Sequence, residues 1–211
     1  MGEQNEQNSI NSIVEENEAP DTNNKPKNIF VKILECIIEV FKTLLVSLLV
    51  ALFITSFIIA NSIVPTGSME STIMSGSRVI GNRLAYQFGA EPERGDIIIF
   101  KNPDDESVYF VKRLIGLPGD VIDIKMDSND NVVGSVYING EKLEEPYLNE
   151  PMIVIGDMHF EVPEDSYFFM GDNRNNSNDA RFWKTTYVKK EKLVAKVLFQ
   201  YWKGFKWLDT Y

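Results

Sequence analysis

The sequence predicts a mainly β protein, an antiparallel β-sheet domain with a smaller β-rich cap, preceded by one N-terminal transmembrane helix. One observation is a long uncharged apolar run near the N-terminus, which supplies the 20 or so apolar residues that a spanning helix needs, a length of about 30 Å. The other is a series of short apolar runs rich in β-branched residues, separated by turn clusters, with no long helical pattern among them. With 211 residues, the chain has room for the helix and one domain of roughly 150 residues.

The N-terminal part of the chain divides into a polar tail and an apolar anchor. Residues 1–28 are rich in Asn, Gln and Glu, so they bury too little surface to offset chain entropy and are predicted to be disordered. Residues 29–64 form the predicted anchor, with the spanning part at about 43–64. Four lysines precede the spanning part: Lys25, Lys27, Lys32 and Lys42. The positive-inside rule then predicts a single pass through the cell membrane, with the N-terminus in the cytosol and residues 65–211 on the extracytoplasmic side.

The apolar run has two other readings, a cleaved secretory signal and a buried core helix. A preceding region of about forty residues and the length of the run argue against the cleaved signal. The absence of charge all round the helix argues against a core helix.

Residues 65–211 form the predicted β-rich domain, in which residues 120–165 are a possible β-rich cap. The predicted strands are 96–100, 108–115, 121–126, 132–138, 166–170 and 193–202. A turn cluster at 127–131 lies between the third and fourth of these strands and predicts a hairpin.

Composition excludes some classes of function. The chain has 31 acidic and 21 basic residues and a formal net charge of −10, whereas a nucleic-acid partner needs a basic surface that neutralises phosphates. One histidine and one cysteine provide no ligand set for a structural zinc ion. We therefore expect no nucleic acid, no metal and no cofactor.

The first candidate motif reads PTGSM at residues 65–69, directly after the apolar run. Gly67 permits backbone conformations that other residues resist, which suits a close approach around Ser68. The alternative reading is a serine in an ordinary turn, so this motif alone does not identify a nucleophile.

The second motif reads YFVKRLI at residues 109–115. In an extended strand, Phe110, Lys112 and Leu114 share one face, and a lysine between such neighbours loses solvent, which lowers the pKa of its amine. A neutral amine is able to take a proton from a serine hydroxyl. The alternative is a surface lysine on a half-exposed strand. Alternation does not choose Lys112 over Arg113, but an arginine stays protonated and cannot serve as a base.

Three further segments carry polar or aromatic residues. The loop at 170–181 is either a solvated turn or a loop fixed by an Asp–Arg ion pair that orients a hydroxyl. The lone His159 lacks the sequence context of a nucleophile elbow, which argues against a Ser-His-Asp hydrolase. The aromatic and basic segment 201–207 is either a membrane-interface segment or a last strand and its tail.

Together these segments resemble the bacterial type I signal peptidases, membrane-bound serine proteases that remove signal peptides from exported proteins. PTGSMESTI at 65–73 is similar to the serine box of that family, RGDIIIF at 94–100 and KRLIGLPGD at 112–120 to its lysine box, and GDNRNNSNDAR at 171–181 to its polar-loop box. The three motifs follow an anchor in the family's order, and the resemblance covers the chain from about Val40 to the C-terminus.

The resemblance implies a role for each matching residue. Ser68 is the implied nucleophile and Lys112 the general base, while the Thr66 hydroxyl and the Ser68 backbone N–H form the oxyanion hole. The implied supporting residues are Ser177, which orients the amine, and Asp179 and Arg181, which hold the loop. The implied substrate-pocket residues are Val64, Met69, Ile73, Phe110 and Val111. The sequence departs from the family pattern at Thr66, Ser71, Asn175 and Ala180, and these departures affect loop rigidity and remove no catalytic group.

The implied activity is endopeptidase cleavage of preprotein signal peptides after small residues, of the Ala-x-Ala type, by a monomer at the lipid bilayer. A catalytically silent assembly accessory on the same fold is a second hypothesis, and the presence of both Ser68 and Lys112 favours the enzyme. A self-cleaving Ser–Lys regulator is a third, but its DNA-binding domain has no counterpart in the acidic, irregular N-terminal tail.

Overall fold

The computed structural model describes residues 28–87, 89–127 and 130–208. The predicted disordered tail lies outside these residues except for Asn28, and part of the predicted turn at 127–131 also lies outside them. The fold class is confirmed: one apolar helix precedes a mainly β domain of antiparallel strands.

Helix α1 spans Ile29–Phe53 and continues through a π-helical turn at Ile54–Ile58. Among the described residues, this segment alone is long and apolar enough to cross a membrane. The predicted boundary of the anchor at Val64 needs correction, because Ile59–Val64 form strand β1 instead of helix. These six residues pair with β2 (Ser77–Asn82), so this end of the apolar run belongs to a β-sheet and not to the membrane-spanning helix.

The larger sheet contains β1 and β2 together with β3 (Ile97–Lys101), β4 (Tyr109–Gly116), β10 (Ser166–Met170), β11 (Val188–Lys189), β12 (Leu193–Gln200) and β13 (Lys206–Trp207). Within the described residues these eight strands lie in the order β1-β2-β12-β3-β4-β10-β11, with β13 paired to β12. The predicted strands at 96–100, 108–115, 166–170 and 193–202 correspond to β3, β4, β10 and β12, with small shifts at their ends.

The smaller sheet contains β5 (Val121–Asp127), β6 (Asp130–Ile138), β7 (Glu141–Lys142), β8 (Met152–Ile153) and β9 (Met158–Glu161). In the part of the chain that the structure describes, these five strands lie in the order β7-β6-β5-β9, with β8 paired to β6. β5 and β6 form the predicted hairpin. All five strands fall between residues 120 and 165, where the sequence predicts a cap.

Strand β3 shows why its sequence is a continuous apolar run. Ile98 and Phe100 belong to one buried cluster, which also contains Ile122 and Val136 of the smaller sheet. Ile97 and Ile99 belong to a second cluster with Ala60 and Val64 of β1. Since successive side chains of a strand point to opposite faces, both faces of β3 are buried. β4 pairs with β3 and is therefore held at the centre of the larger sheet, where Lys112 lies opposite Ile98.

Candidate active site

Ser68 lies in a short 3-10 turn, Gly67–Met69, that follows β1. Its side chain is buried, with 6% exposure. Asn173 holds this turn from the polar loop, because its backbone N–H donates to the Ser68 carbonyl at 3.1 Å and its side-chain amide donates to the Gly67 carbonyl at 3.0 Å. The serine is thus fixed by its own turn and by the loop after β10.

Lys112 lies in the middle of β4 and is only 4% exposed. Its amine is hydrogen-bonded to Ser68 Oγ, and Thr66 Oγ1 lies 3.3 Å from the same Ser68 oxygen. The Phe110 ring, two residues earlier on the strand, lies with its centroid 5.7 Å from the Lys112 amine. The structure therefore brings together Ser68, Lys112 and Thr66, the residues that the resemblance joins in one reaction.

The environment of Lys112 favours a neutral amine. Burial lowers its pKa from the ordinary value to about 8, because removal of water disfavours the ammonium form. The negative charges of Asp179 and Asp172 raise the pKa and the positive charge of Arg181 lowers it, but burial has the largest effect. Among the described residues, no carboxylate comes within 4.0 Å of the amine.

The polar loop after β10 is fixed by an ion pair. Asp179 accepts two hydrogen bonds from the Arg181 guanidinium, at 2.8 and 2.9 Å, and one from the Gly171 backbone N–H at 3.0 Å. Arg181 also donates to the Arg174 carbonyl at 2.7 Å. Of the two readings of this loop, the structure shows the one with an Asp–Arg pair.

Ser177 differs from its implied role. Its hydroxyl is buried, but it makes no hydrogen bond to Lys112 and has no partner among the described residues. The hydroxyl packs against Gly171, where a Cβ would lie 2.3 Å from Ser177 Oγ and 2.4 Å from the Ser68 carbonyl oxygen. The implied Ser177–Lys112 bond is therefore absent from this structure, in which the amine contacts Ser68 instead. Only glycine at position 171 permits this approach of the two serine segments.

A second ion pair beside the dyad has no counterpart among the sequence predictions. Arg113 donates to both carboxylate oxygens of Asp172, at 2.8 and 2.6 Å, and to the Gly95 carbonyl at 2.8 Å. Both side chains of the pair are fully buried. At the level of the sequence, Arg113 entered only as an alternative base to Lys112. Its position next to a lysine that was expected to be buried was the available sign that Arg113 would need a carboxylate partner.

A cavity of about 430 Å³ opens beside Ser68 and Lys112. Val64, Phe110 and Val111, three of the implied pocket residues, line it. Met69 and Ile73 do not line it, because both are fully buried in the core cluster that includes Ala60 and Val64.

Asn176 and Asn178 also line this cavity, and sequence reasoning missed both. They flank Ser177, whose backbone is extended, with φ −126° and ψ 122°. Alternation in such a segment turns the two exposed amides to one side and the buried serine to the other. The sequence signal for these two residues was that both are direct neighbours of Ser177, an implied active-site residue, and lie two positions apart on the opposite side of the segment.

The lone histidine lies on the smaller sheet and does not line the cavity. His159 is exposed on β9 and bonds to Asp123 of β5 at 2.7 Å. The segment 201–207 includes β13, so the reading of a last strand describes it, while the large aromatic side chains of Trp202, Phe205 and Trp207 remain exposed.

Comparison with known proteins gives consistent matches. The profile of the family described as signal peptidase, peptidase S26, matches residues 37–202. Signal peptidase I of Bacillus licheniformis is 38% identical over 167 residues, which cover 75% of this chain and 81% of that protein. Signal peptidase I of Leptolyngbya laminosa is 34% identical over 177 residues, which cover 79% of this chain and 80% of that protein. A crystal structure of a signal peptidase I from Enterococcus faecalis V583 is 33% identical and covers 50% of this chain and 96% of its own, with a TM-score of 0.42.

Proposed function

Because the chain belongs to the signal peptidase family, peptidase S26, and is a serine endopeptidase that removes signal peptides from preproteins, we propose that it does so with a dyad of Ser68 and Lys112. The observation that carries this proposal is the hydrogen bond between a buried amine and a buried hydroxyl, with the pKa of the amine lowered to about 8. A lysine with a pKa of about 8 has a substantial neutral fraction near physiological pH, and this neutral fraction is a competent general base.

In the proposed reaction, Ser68 Oγ attacks the carbonyl carbon of the scissile bond while the Lys112 amine takes the hydroxyl proton. The carbonyl oxygen becomes an oxyanion, which the Thr66 hydroxyl and the Ser68 backbone N–H stabilise. Lys112 then gives the proton to the departing amine, which leaves an ester on Ser68. A water molecule deprotonated by Lys112 then attacks the ester carbonyl carbon. The bond to Ser68 Oγ breaks, Lys112 returns the proton to Ser68 Oγ, and the new carboxyl group of the cleaved peptide leaves.

Ser177, Asp179 and Arg181 support the dyad in this proposal. The Asp179–Arg181 pair fixes the loop that carries Ser177, and the Ser177 hydroxyl lies beside the Ser68 backbone with its hydrogen-bonding capacity unused. We propose that it bonds to the Lys112 amine when substrate draws the Ser68 hydroxyl away.

Specificity for small residues, of the Ala-x-Ala type, is proposed from the resemblance to the family. The cavity walls at Val64, Phe110 and Val111 are apolar, which suits small uncharged side chains such as that of alanine. β1 is an edge strand. β4 pairs with β10 from Arg113 onward, so the part of β4 before Arg113 has an open edge on that side. An extended substrate is able to add to these free strand edges and place alternate side chains in the cavity. In this proposal, Met69 and Ile73 act indirectly: they belong to the same buried cluster as Val64 and Val111 and so fix the position of these two cavity residues.

The membrane arrangement is also proposed from the sequence. α1 anchors the enzyme, and four lysines that lie before its uncharged part favour a cytosolic N-terminus: Lys25, Lys27, Lys32 and Lys42. The β-rich domain then acts as a monomer on the extracytoplasmic side. Ser68 follows the apolar helix by ten residues, from Ile58, so the nucleophile stays close in sequence to the bilayer from which a signal peptide emerges.

The test uses the full chain in detergent and a preprotein with an Ala-x-Ala cleavage site. Ser68→Ala, Lys112→Ala and Lys112→Arg should each abolish cleavage, the last because arginine keeps its charge. Lys142→Ala, at an exposed lysine of β7, is the matched control and should cleave like the unchanged enzyme. Normal cleavage by the Lys112→Ala enzyme would refute the dyad.

A further inference from the structure

One segment of the smaller sheet reaches the loop that supports the dyad. It connects β7 to β8 and contains Glu145, Pro146 and Tyr147, which are far from the motifs of the active site in the sequence. We propose that Glu145 is a positioning residue for signal-peptide cleavage, acting through Arg174 on the polar loop. This inference rests on the proposed Ser68–Lys112 reaction.

The first contact is a buried two-pronged ion pair. Arg174 Nη1 donates to one carboxylate oxygen of Glu145 at 2.9 Å, and Nη2 donates to the other. The side chain of Arg174 is 1% exposed and that of Glu145 is 8% exposed. A buried guanidinium needs such a partner, because an uncompensated charge in the interior is strongly destabilising.

Arg174 connects Glu145 to both ends of the polar loop. Its Nε donates to the Gly171 carbonyl at 3.0 Å, and its own carbonyl accepts from Arg181 Nη2 at 2.7 Å. Arg181 in turn holds Asp179, and Asp179 accepts from the Gly171 N–H. Glu145 thus fixes the side chain of Arg174, which holds the polar loop between Gly171 and Asp179 through its hydrogen bonds.

Tyr147 supports the same arrangement from two residues further on. Its hydroxyl donates to Glu145 Oε1 at 2.8 Å, and its ring lies 3.9 Å from the guanidinium carbon of Arg113. Arg113 is the strand neighbour of Lys112 and the partner of Asp172. The β7–β8 segment therefore covers both buried arginines beside the dyad, one with a carboxylate and one with an aromatic face.

The Glu145–Arg174 pair matters for catalysis because the Lys112 amine must remain shielded from water. The charged groups that act on Lys112 are Asp179, Asp172 and Arg181, and all three belong to the polar loop. If Arg174 loses its carboxylate, the loop loosens, water reaches the amine and its protonated form gains stability. Glu145 does not line the cavity, so substrate binding stays intact.

The experiment compares Glu145→Gln with Glu144→Gln, in the full chain and on the same preprotein. Glu144 is the exposed neighbour and is the matched control. We expect Glu145→Gln to lower kcat by about 10- to 100-fold at neutral pH, with KM changed by less than about twofold. The acidic limb of its rate profile should move to higher pH, which a purely structural loss measured on fully folded enzyme would not produce. Glu144→Gln should retain the kcat, KM and pH profile of the unchanged enzyme.

Several outcomes would overturn the inference. They are unchanged kinetics in Glu145→Gln, an equal loss in Glu144→Gln, or a kcat loss without any movement of the pH profile. If Glu145→Gln shows no cooperative unfolding transition, Arg174→Lys decides by the same measurements, because it keeps the charge and removes the two-pronged geometry. Cleavage by Ser68→Ala would overturn the proposed function itself, whereas an inactive Ser68→Ala enzyme with unchanged Glu145→Gln kinetics overturns only the positioning role.

Discussion

The two faces of strand β4 hold neighbouring cations in different ways. Arg113 is fully buried, bonded to both oxygens of Asp172 and covered by the Tyr147 ring. Lys112 is almost as deeply buried, but its amine contacts a neutral hydroxyl and its pKa is lowered to about 8. A buried cation with a carboxylate keeps its charge and gives the fold a fixed contact. A buried cation without one is able to lose its proton, and the proposed chemistry depends on that loss.

The largest expected effect separates activity from stability at Lys112. Lys112→Met should lower cleavage by about 10³-fold or more, because no base remains for Ser68. The same change should raise the free energy of unfolding by about 1–3 kcal/mol at pH 7, since the folded protein no longer buries a charged amine. Chemical denaturation at pH 7 and pH 9.5 measures this gain. It should shrink at the higher pH, where the folded lysine is already neutral; an equal gain at both values would contradict the lowered pKa.

Arg113→Met should have the opposite effect on stability. It leaves Asp172 buried without its partner, so the free energy of unfolding should fall by about 3–5 kcal/mol. The double variant Arg113→Met/Asp172→Leu is the control and should recover most of this loss, because both charges are removed together. Denaturation curves of the three proteins test the comparison. A single variant as stable as the unchanged protein would show that the pair is not needed.

The pH dependence of cleavage should follow the Lys112 amine alone. As the pH falls through about 8, the amine gains a proton, so kcat should fall by about tenfold per pH unit below that value. The measurement is single-turnover cleavage between pH 6 and pH 10. A rate that is flat from neutral to acid pH would exclude a lysine base.

The smallest expected effect belongs to an exposed cation. Lys190 pairs with Glu91 at the protein surface. Lys190→Met should change the free energy of unfolding by less than about 1 kcal/mol and leave cleavage unchanged, because solvent screens the pair. Thermal unfolding and the preprotein assay check both expectations. A larger loss would mean that burial is not what distinguishes Arg113 from surface cations.

Long apolar runs and motif spacing predicted the central part of the fold. β3, β4, β10 and the hairpin of β5 and β6 have strongly apolar or alternating sequences, so their existence followed from pattern. β2 reads SRVIGN and contains few apolar residues, and β7, β8, β11 and β13 have two residues each, so no periodicity marks them. β1 was assigned to the anchor because composition alone does not distinguish a spanning helix from a buried strand.

The site was predictable where its residues form contiguous motifs. Ser68, Lys112 and the Asp179–Arg181 pair lie within such motifs, and the structure brings them close together. The Arg113–Asp172 and Glu145–Arg174 contacts join residues 59 and 29 positions apart. The Glu145–Arg174 pair depends on how the β7–β8 segment of the smaller sheet packs against the polar loop, and the sequence carries no signal for it. For Arg113 the sequence indicates a buried position, next to Lys112, but it does not identify Asp172 as the partner.

The switch from helix to strand at Ile59 has a practical consequence for anyone who wants a soluble enzyme for crystallisation or inhibitor screening. A hydropathy plot invites a cut after Val64, where the apolar run ends. That truncation would delete an edge strand, remove Ala60 and Val64 from the core and take away one side of the cavity. The cut belongs before Ile59, and a polar replacement for the missing helix should then leave the folded part whole.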